Sequence, residues 1–195
     1  QNFGDEFTVR EDQLYSNSGY IQIYTGIEDY EILDKIKRCA TFLLGDFFEI
    51  HQGIVSGADY LSQKKRDMLG DESIQPGDGI FVLTDQEIER CGLQESPHLR
   101  KFYKNSDIDH FKIMGKSEKN ILYIDDRVEL SPDDPEYKHL YRFRPLLEMR
   151  REVMNGNRKW YALQWPRLEE IFRIEKIVVP HRNRLNRFAL SLDLF

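Results

Sequence analysis

The sequence has little of what would tie it to a membrane or to an oxidising compartment. Only two of its 195 residues are cysteines, Cys39 and Cys91, too few for the disulfide frameworks that staple small secreted domains. Neither has a Cys or His neighbour at metal-ligand spacing, so both are expected to be reduced, at least partly buried thiols in a reducing cytoplasm. Long apolar runs are missing too. Apolar runs such as residues 40–44 and 177–180 are only strand-sized, well short of the roughly 18 residues of a membrane span. No signal-peptide pattern opens the chain, and its start at Gln1 in place of Met is what a segment of a longer protein would have.

Catalytic signatures are equally scarce. Gly77-Asp78-Gly79 lacks a third glycine and precedes a strand-like run, so it does not make a phosphate cradle. There is no Pro-Pro pair, and with it goes the Asn/Asp-Pro-Pro-aromatic motif of enzymes that methylate base amino groups. Asp133 with Glu136 and Lys138 spells a metal-nuclease pattern. Its spacing fails, because the two carboxylates normally come from adjacent strands. The five histidines share no i, i+4 pairing that would seat a metal on one helix face.

What is present is an ordinary globular composition, 40% hydrophobic and 12% aromatic, enough for one domain with its own core. Helical spacing of Ile32, Leu33 and Ile36 predicts a helix over 29–39, and 7–15 reads as a strand. The aromatic and β-branched run 46–55 predicts a strand delivering a loop at 52–59, and the polar stretch 62–79 an exposed insertion. A strand at 80–83 leads to a helix from Thr84, three residues before Glu87 as in a capping box. Further on, the pattern predicts a helical turn at 98–103 and strands at 111–114 and 120–124. One long helix follows at 136–154, with Pro145 as a kink. The end reads as a strand at 159–163, a short helix at 166–172 and strands at 176–179 and 188–192. The expected fold is α+β, with small sheets and several helices. Residues 1–44 are expected to form an N-terminal arm packing on a domain at 45–195.

Charge is unevenly distributed. The net charge is −6, yet residues 138–187 hold 13 Lys and Arg against 5 Glu, a balance of +8, while the remainder holds 15 against 29, a balance of −14. Such a segment suits a polyanion, although a solvated helix laced with ion pairs gives the same pattern. Within it, the loop of His181, Arg182, Asn183, Arg184 and Arg187 offers Arg for guanine and Asn for adenine, which makes Arg182 and Asn183 the leading base-reader candidates. Arg158, Lys159, Arg167, Arg173 and Lys176 are candidates for phosphate contacts that fix register. Gln52 and Ser56, with Gly53 and Gly57, form a loop able to approach a groove, or simply a tight turn. Trp160 and Trp165 are core aromatics or base-stacking platforms, with core the commoner role. Nothing resembles the aromatic platform of RNA binders.

Several short strings recur in a known order. Gln52-Gly53-Ile54-Val55-Ser56-Gly57 is followed by Gly79-Ile80-Phe81-Val82-Leu83, then Trp160-Tyr161-Ala162-Leu163, Pro166-Arg167, Ile171-Phe172, Lys176-Ile177-Val178-Val179-Pro180 and Arg187-Phe188-Ala189. From about Gly45 onward this resembles the TaqI-like specificity domain of type IIG restriction-modification enzymes and related adenine amino-methyltransferases. The resemblance implies a target-recognition domain without a catalytic centre, reading double-stranded DNA beside a methyltransferase catalytic domain of the same parent chain in a bacterial cytoplasm. It implies no cofactor in this fragment and S-adenosylmethionine in the parent core. The 62–78 insertion departs from the family, and the base-reading loops vary among members, so base contacts do not carry over. The alternative is a protein-interaction module docking an acidic partner through the basic C-terminal third; a nuclease using Asp133 and Glu136 is a third reading.

Overall fold

A computed structural model describes residues 27–69, 73–114, 119–181 and 185–192. The chain divides into two units, with the boundary between Ile50 and His51. The strand expected at 7–15 lies outside the described residues.

In the first unit, helix α1 (Ile27–Cys39) appears where the spacing predicts one, with Lys37 and Arg38 in the last turn, where cations complement the helix dipole. Arg38 pairs with Asp34 one turn earlier at 2.5 Å. Beyond it the expected strand at 46–55 does not form. Leu44–Asp46 is a single 3₁₀ turn, closed by the Asp46 carboxylate accepting the Leu43 N–H at 2.8 Å. That local side-chain bond competes with an extended ladder. Cys39 is exposed, contrary to expectation, while Cys91 is half-buried.

The second unit is built on an antiparallel sheet of three short strands, β1 (Val82–Thr84), β2 (Leu99–Lys101) and β3 (Lys119–Leu122), with β3 in the middle. Val82 faces Ile121 and Leu99 faces Leu122. Residues 80–83 are fully buried without alternation, so both faces of β1 are covered. One cover is α3 (Asp85–Arg90), begun by Thr84 and Glu87 in the reciprocal capping bonds that the spacing predicts. On it Ile88 packs with Leu83 and Leu93. The main core joins Phe81, Ile121 and Ile124 to Leu140, Phe143 and Leu147.

The stretch that carries those last residues is three short helices, not one: α4 (Pro135–Tyr141), α5 (Arg144–Glu148) and α6 (Arg151–Met154), with Leu140 on α4, Leu147 on α5 and Phe143 at the junction between them. Pro145 lacks an N–H and sits in the first turn of α5, where none is needed, so the chain breaks ahead of it rather than kinking through it. Arg150, extended at ψ 134°, separates α5 from α6. Two further expectations fail locally. Residues 99–101 are a strand rather than a helical turn because they complete the sheet edge. Residues 111–114 contribute isolated bridges only, Phe111 standing at φ 63°.

The stretch 62–79 is more than an exposed insertion. It holds α2 (Gln63–Arg66), and its Ile74 is wholly buried in the main core. The chain ends in a separate hairpin-like sheet, β4 (Lys176–Val178) against β5 (Ala189–Ser191). Ala189 and Ser191 point inward; Ile177, paired with Leu190, lies on the open face with Leu190 and Leu192. The architecture is thus mixed α+β with two small antiparallel sheets. Among the described residues no helix is long and apolar enough to cross a membrane.

Candidate nucleic-acid interface

Two stretches more than a hundred residues apart meet at the glycine-bearing loop. Val55 and Trp165 exchange both backbone hydrogen bonds, at 3.0 and 2.8 Å, and the Gln164 N–H donates to the Ser56 carbonyl at 3.2 Å. Ser56 is buried: its hydroxyl donates to the Asp59 carboxylate and accepts the Ala58 N–H at 3.2 Å, a side-chain turn that holds the loop. The two glycines have different reasons to be there. At Gly57, φ is +80°, a conformation that favours glycine, and a Cβ there would also crowd Gln164, whose own Cβ stands 3.0 Å away. Around Gly53 nothing lies within 4 Å of a Cβ.

Arg150, which sequence reasoning passed over, is the clamp beneath this loop. Its guanidinium donates to the carbonyls of Ser56, Trp160, Ala162 and Leu147, at 2.7 to 3.1 Å, and lies over the Phe81 ring. Burial pulls its pKa down to about 10, so it keeps its charge at neutral pH. One more arginine in a basic segment carries no distinguishing spacing.

The expected strand at 159–163 is instead a turn, because Arg158 and Lys159 are anchored to a neighbouring acidic loop. Arg158 pairs with Asp126 and donates to the Gln164 carbonyl at 3.1 Å. Lys159 reaches Glu129 at 2.5 Å and the Val128 carbonyl at 3.0 Å. The bond to the Glu129 carboxylate raises the Lys159 pKa and lowers that of Glu129. Trp160 is half-buried, edge-on to Tyr137, Tyr141 and Tyr161, and packs against the main core. Trp165 has the Arg158 guanidinium 5.5 Å and the Arg167 guanidinium 6.0 Å from its ring centre.

Arg167 is the outlier of the region, at φ +66°. A residue with a Cβ adopts this conformation only when its surroundings impose it. Here the Tyr123 hydroxyl donates to the Arg167 carbonyl at 2.9 Å, and buried Pro166 and the Val55–Trp165 bridge fix the approach. Burial, with Asp125 nearby, pushes the Tyr123 pKa to about 12, so its hydroxyl stays protonated and remains the donor. Arg167 itself donates to Gln52 Oε1 at 2.6 Å and to the Gly53 carbonyl at 3.4 Å. Gln52 is exposed.

Elsewhere the positive segment is largely spoken for. Arg144 pairs with Glu148, Arg151 with Glu152 and Arg173 with Glu169, while the Lys176 ammonium donates to the Phe172 carbonyl at 2.8 Å. Acidic residues from outside the segment, Asp126 and Glu129, neutralise two more of its charges. In the last loop, the His181 N–H donates to Asn105 at 3.4 Å and Arg187 is half-buried with its Nε lacking a partner. Arg182, Asn183 and Arg184 lie outside the described residues. Glu136 is buried in α4 and accepts the Ser96 hydroxyl. Among the described residues no three His, Cys, Asp or Glu side chains gather as a metal-binding group.

The structure brings together Gln52, Gly53 and Arg167 at the surface, with Ser56 and Gly57 as the frame beneath them. No protein-family model matches the chain, and no curated protein matches it significantly.

Proposed function

We propose that this chain is a sequence-specific double-stranded DNA recognition domain that positions a target site for the adenine methyltransferase core of a restriction-modification protein. One observation carries the reading. Two of the strings that resemble the family's specificity domain, the glycine loop and Pro166-Arg167, are brought together by the Val55–Trp165 bridge and present Gln52 and Arg167 side by side. Such polar side chains on rigidly held loops are the usual means of base readout, with phosphate contacts supplying register. In this reading S-adenosylmethionine belongs to a separate catalytic domain, and the present chain supplies selection alone.

The test is retention of a randomised duplex pool by the chain at two salt concentrations, with sequencing of what is held. An enriched motif is expected at both. Retention without enrichment would mean a phosphate-gripping surface, and no retention at low salt would remove the DNA reading. Protein docking is the second reading, favoured by the open apolar face of Ile177, Val179, Leu190 and Leu192. The internal ion pairs leave less free positive charge for an acidic partner than composition implies.

A further inference from the structure

A guanidinium carries only donors, so the Gln52 atom that faces Arg167 Nη2 at 2.6 Å is the amide oxygen. The amide nitrogen is thereby turned away with both hydrogens, and no described residue accepts them. Arg167 also retains donors beyond the two it gives to Gln52 and Gly53. The pair therefore offers an array of donors, beside which the Gln52 Oε1 keeps only its second lone pair as an acceptor. It is held on one side by the φ +66° backbone locked through Tyr123, and on the other by the bridged glycine loop.

Resting on the DNA-recognition reading above, we infer that Gln52 and Arg167 act as one unit that reads the major-groove edge of a guanine. Guanine alone presents two adjacent acceptors there, O6 and N7; adenine sets an amino donor beside N7, cytosine presents an amino donor, and thymine a single acceptor beside a methyl group. A phosphate would also accept these hydrogens. A phosphate contact, though, needs no neutral amide and no fixed backbone, since a flexible cation suffices. Arg167 thus moves from the register-fixing group to the base-reading group, and Gln52 orients its guanidinium while donating in its own right.

The experiment is duplex-pool selection with the 195-residue chain as wild type and as Gln52→Ala, Gln52→Glu and Arg167→Gly. Glycine tolerates the backbone at 167, so that variant removes the side chain without strain, and a thermal melt checks that it folds. Wild type is expected to enrich a motif containing a guanine. The Ala and Gly variants are expected to lose discrimination at that one position by roughly 5- to 100-fold and to keep the rest of the motif. Gln52→Glu exchanges donors for acceptors and is expected to shift that position toward cytosine. Replacing the guanine with 7-deazaguanine should weaken wild-type binding and leave Gln52→Ala unaffected. Overturning results are an unchanged motif in folded variants, or a uniform loss of affinity with the motif intact, which would make Arg167 a phosphate contact while sparing the DNA reading. A wild type that enriches nothing would end both.

Discussion

Gly57 and Gly53 stand four residues apart and make opposite demands. With φ +80° and a new Cβ only 3.0 Å from that of Gln164, Gly57→Ala is expected to cost about 2–3 kcal/mol in urea unfolding. Gly53→Ala, with open space around it, should change stability by less than about 0.5 kcal/mol. Arg150→Met is more severe: four carbonyls each lose a hydrogen bond at once, though those of Ser56 and Leu147 keep a backbone donor, for a loss of roughly 3–5 kcal/mol. The same denaturation assay checks it. The sequence named the glycine loop and Arg167 as site material, since Gly, Gln and Arg are chemically suited to it. It was silent on Arg150, because what distinguishes that side chain is its burial under two loops. It did not show that Ser56 is tied to Asp59 three residues on, or that Arg158 and Lys159 are engaged by Asp126 and Glu129, partners about thirty residues away that tertiary structure brings in.

Helix α4 is fastened to the segment leading into β1 by a histidine. His139 is buried, its Nε2 donates to the Ile80 carbonyl at 2.9 Å, and its Nδ1 has no partner. Burial lowers its pKa below the ordinary value of 6.5. The unfolded chain therefore takes up a proton as pH falls through about 6.5 while the native state does not, and stability drops until the lower native pKa is reached. Urea midpoints measured from pH 7.5 to 5 should fall for wild type and fall less for His139→Gln. Ile74 gives a second test at this scale: it is fully buried, so Ile74→Ala is expected to cost roughly 2–5 kcal/mol, whereas a mere surface insertion would lose nothing. Elements with local signals were legible, among them the Thr84 cap, the buried run before β1, α1, β4 and β5. The aromatic run at 46–55 and the turn at 159–163 were not, because an Asp46 cap and the Asp126 anchor outweigh strand propensity there. The division into α4, α5 and α6 was half-visible in Pro145, while the Arg150 break depends on the fold.

Across the whole molecule the balance of +8 in residues 138–187, which already subtracts the glutamates paired with Arg144, Arg151 and Arg173, still overstates the charge available to a polyanion, because Arg158 and Lys159 pair with Asp126 and Glu129 from outside the segment and Arg150 is buried. The expected signature is a shallow salt dependence: log K against log salt concentration should have a slope of about −4 or smaller in magnitude, near −0.9 for each phosphate engaged. A slope near −10 would show that the internal pairs open on binding. Both core clusters are made of residues beyond position 50, so residues 51–195 alone are expected to unfold cooperatively in a denaturant titration.

The contact from Arg167 to Gln52 spans 115 positions, and this has a meaning in time as well as in space. At roughly 5–20 residues per second of synthesis, about 6 to 23 s pass between the addition of the glutamine and that of its partner. The proposed reading surface thus cannot form until residue 167 has been added. A chain cut short before the arginine has no such surface, so truncated products released by a stalled ribosome would not compete with finished ones for target sites.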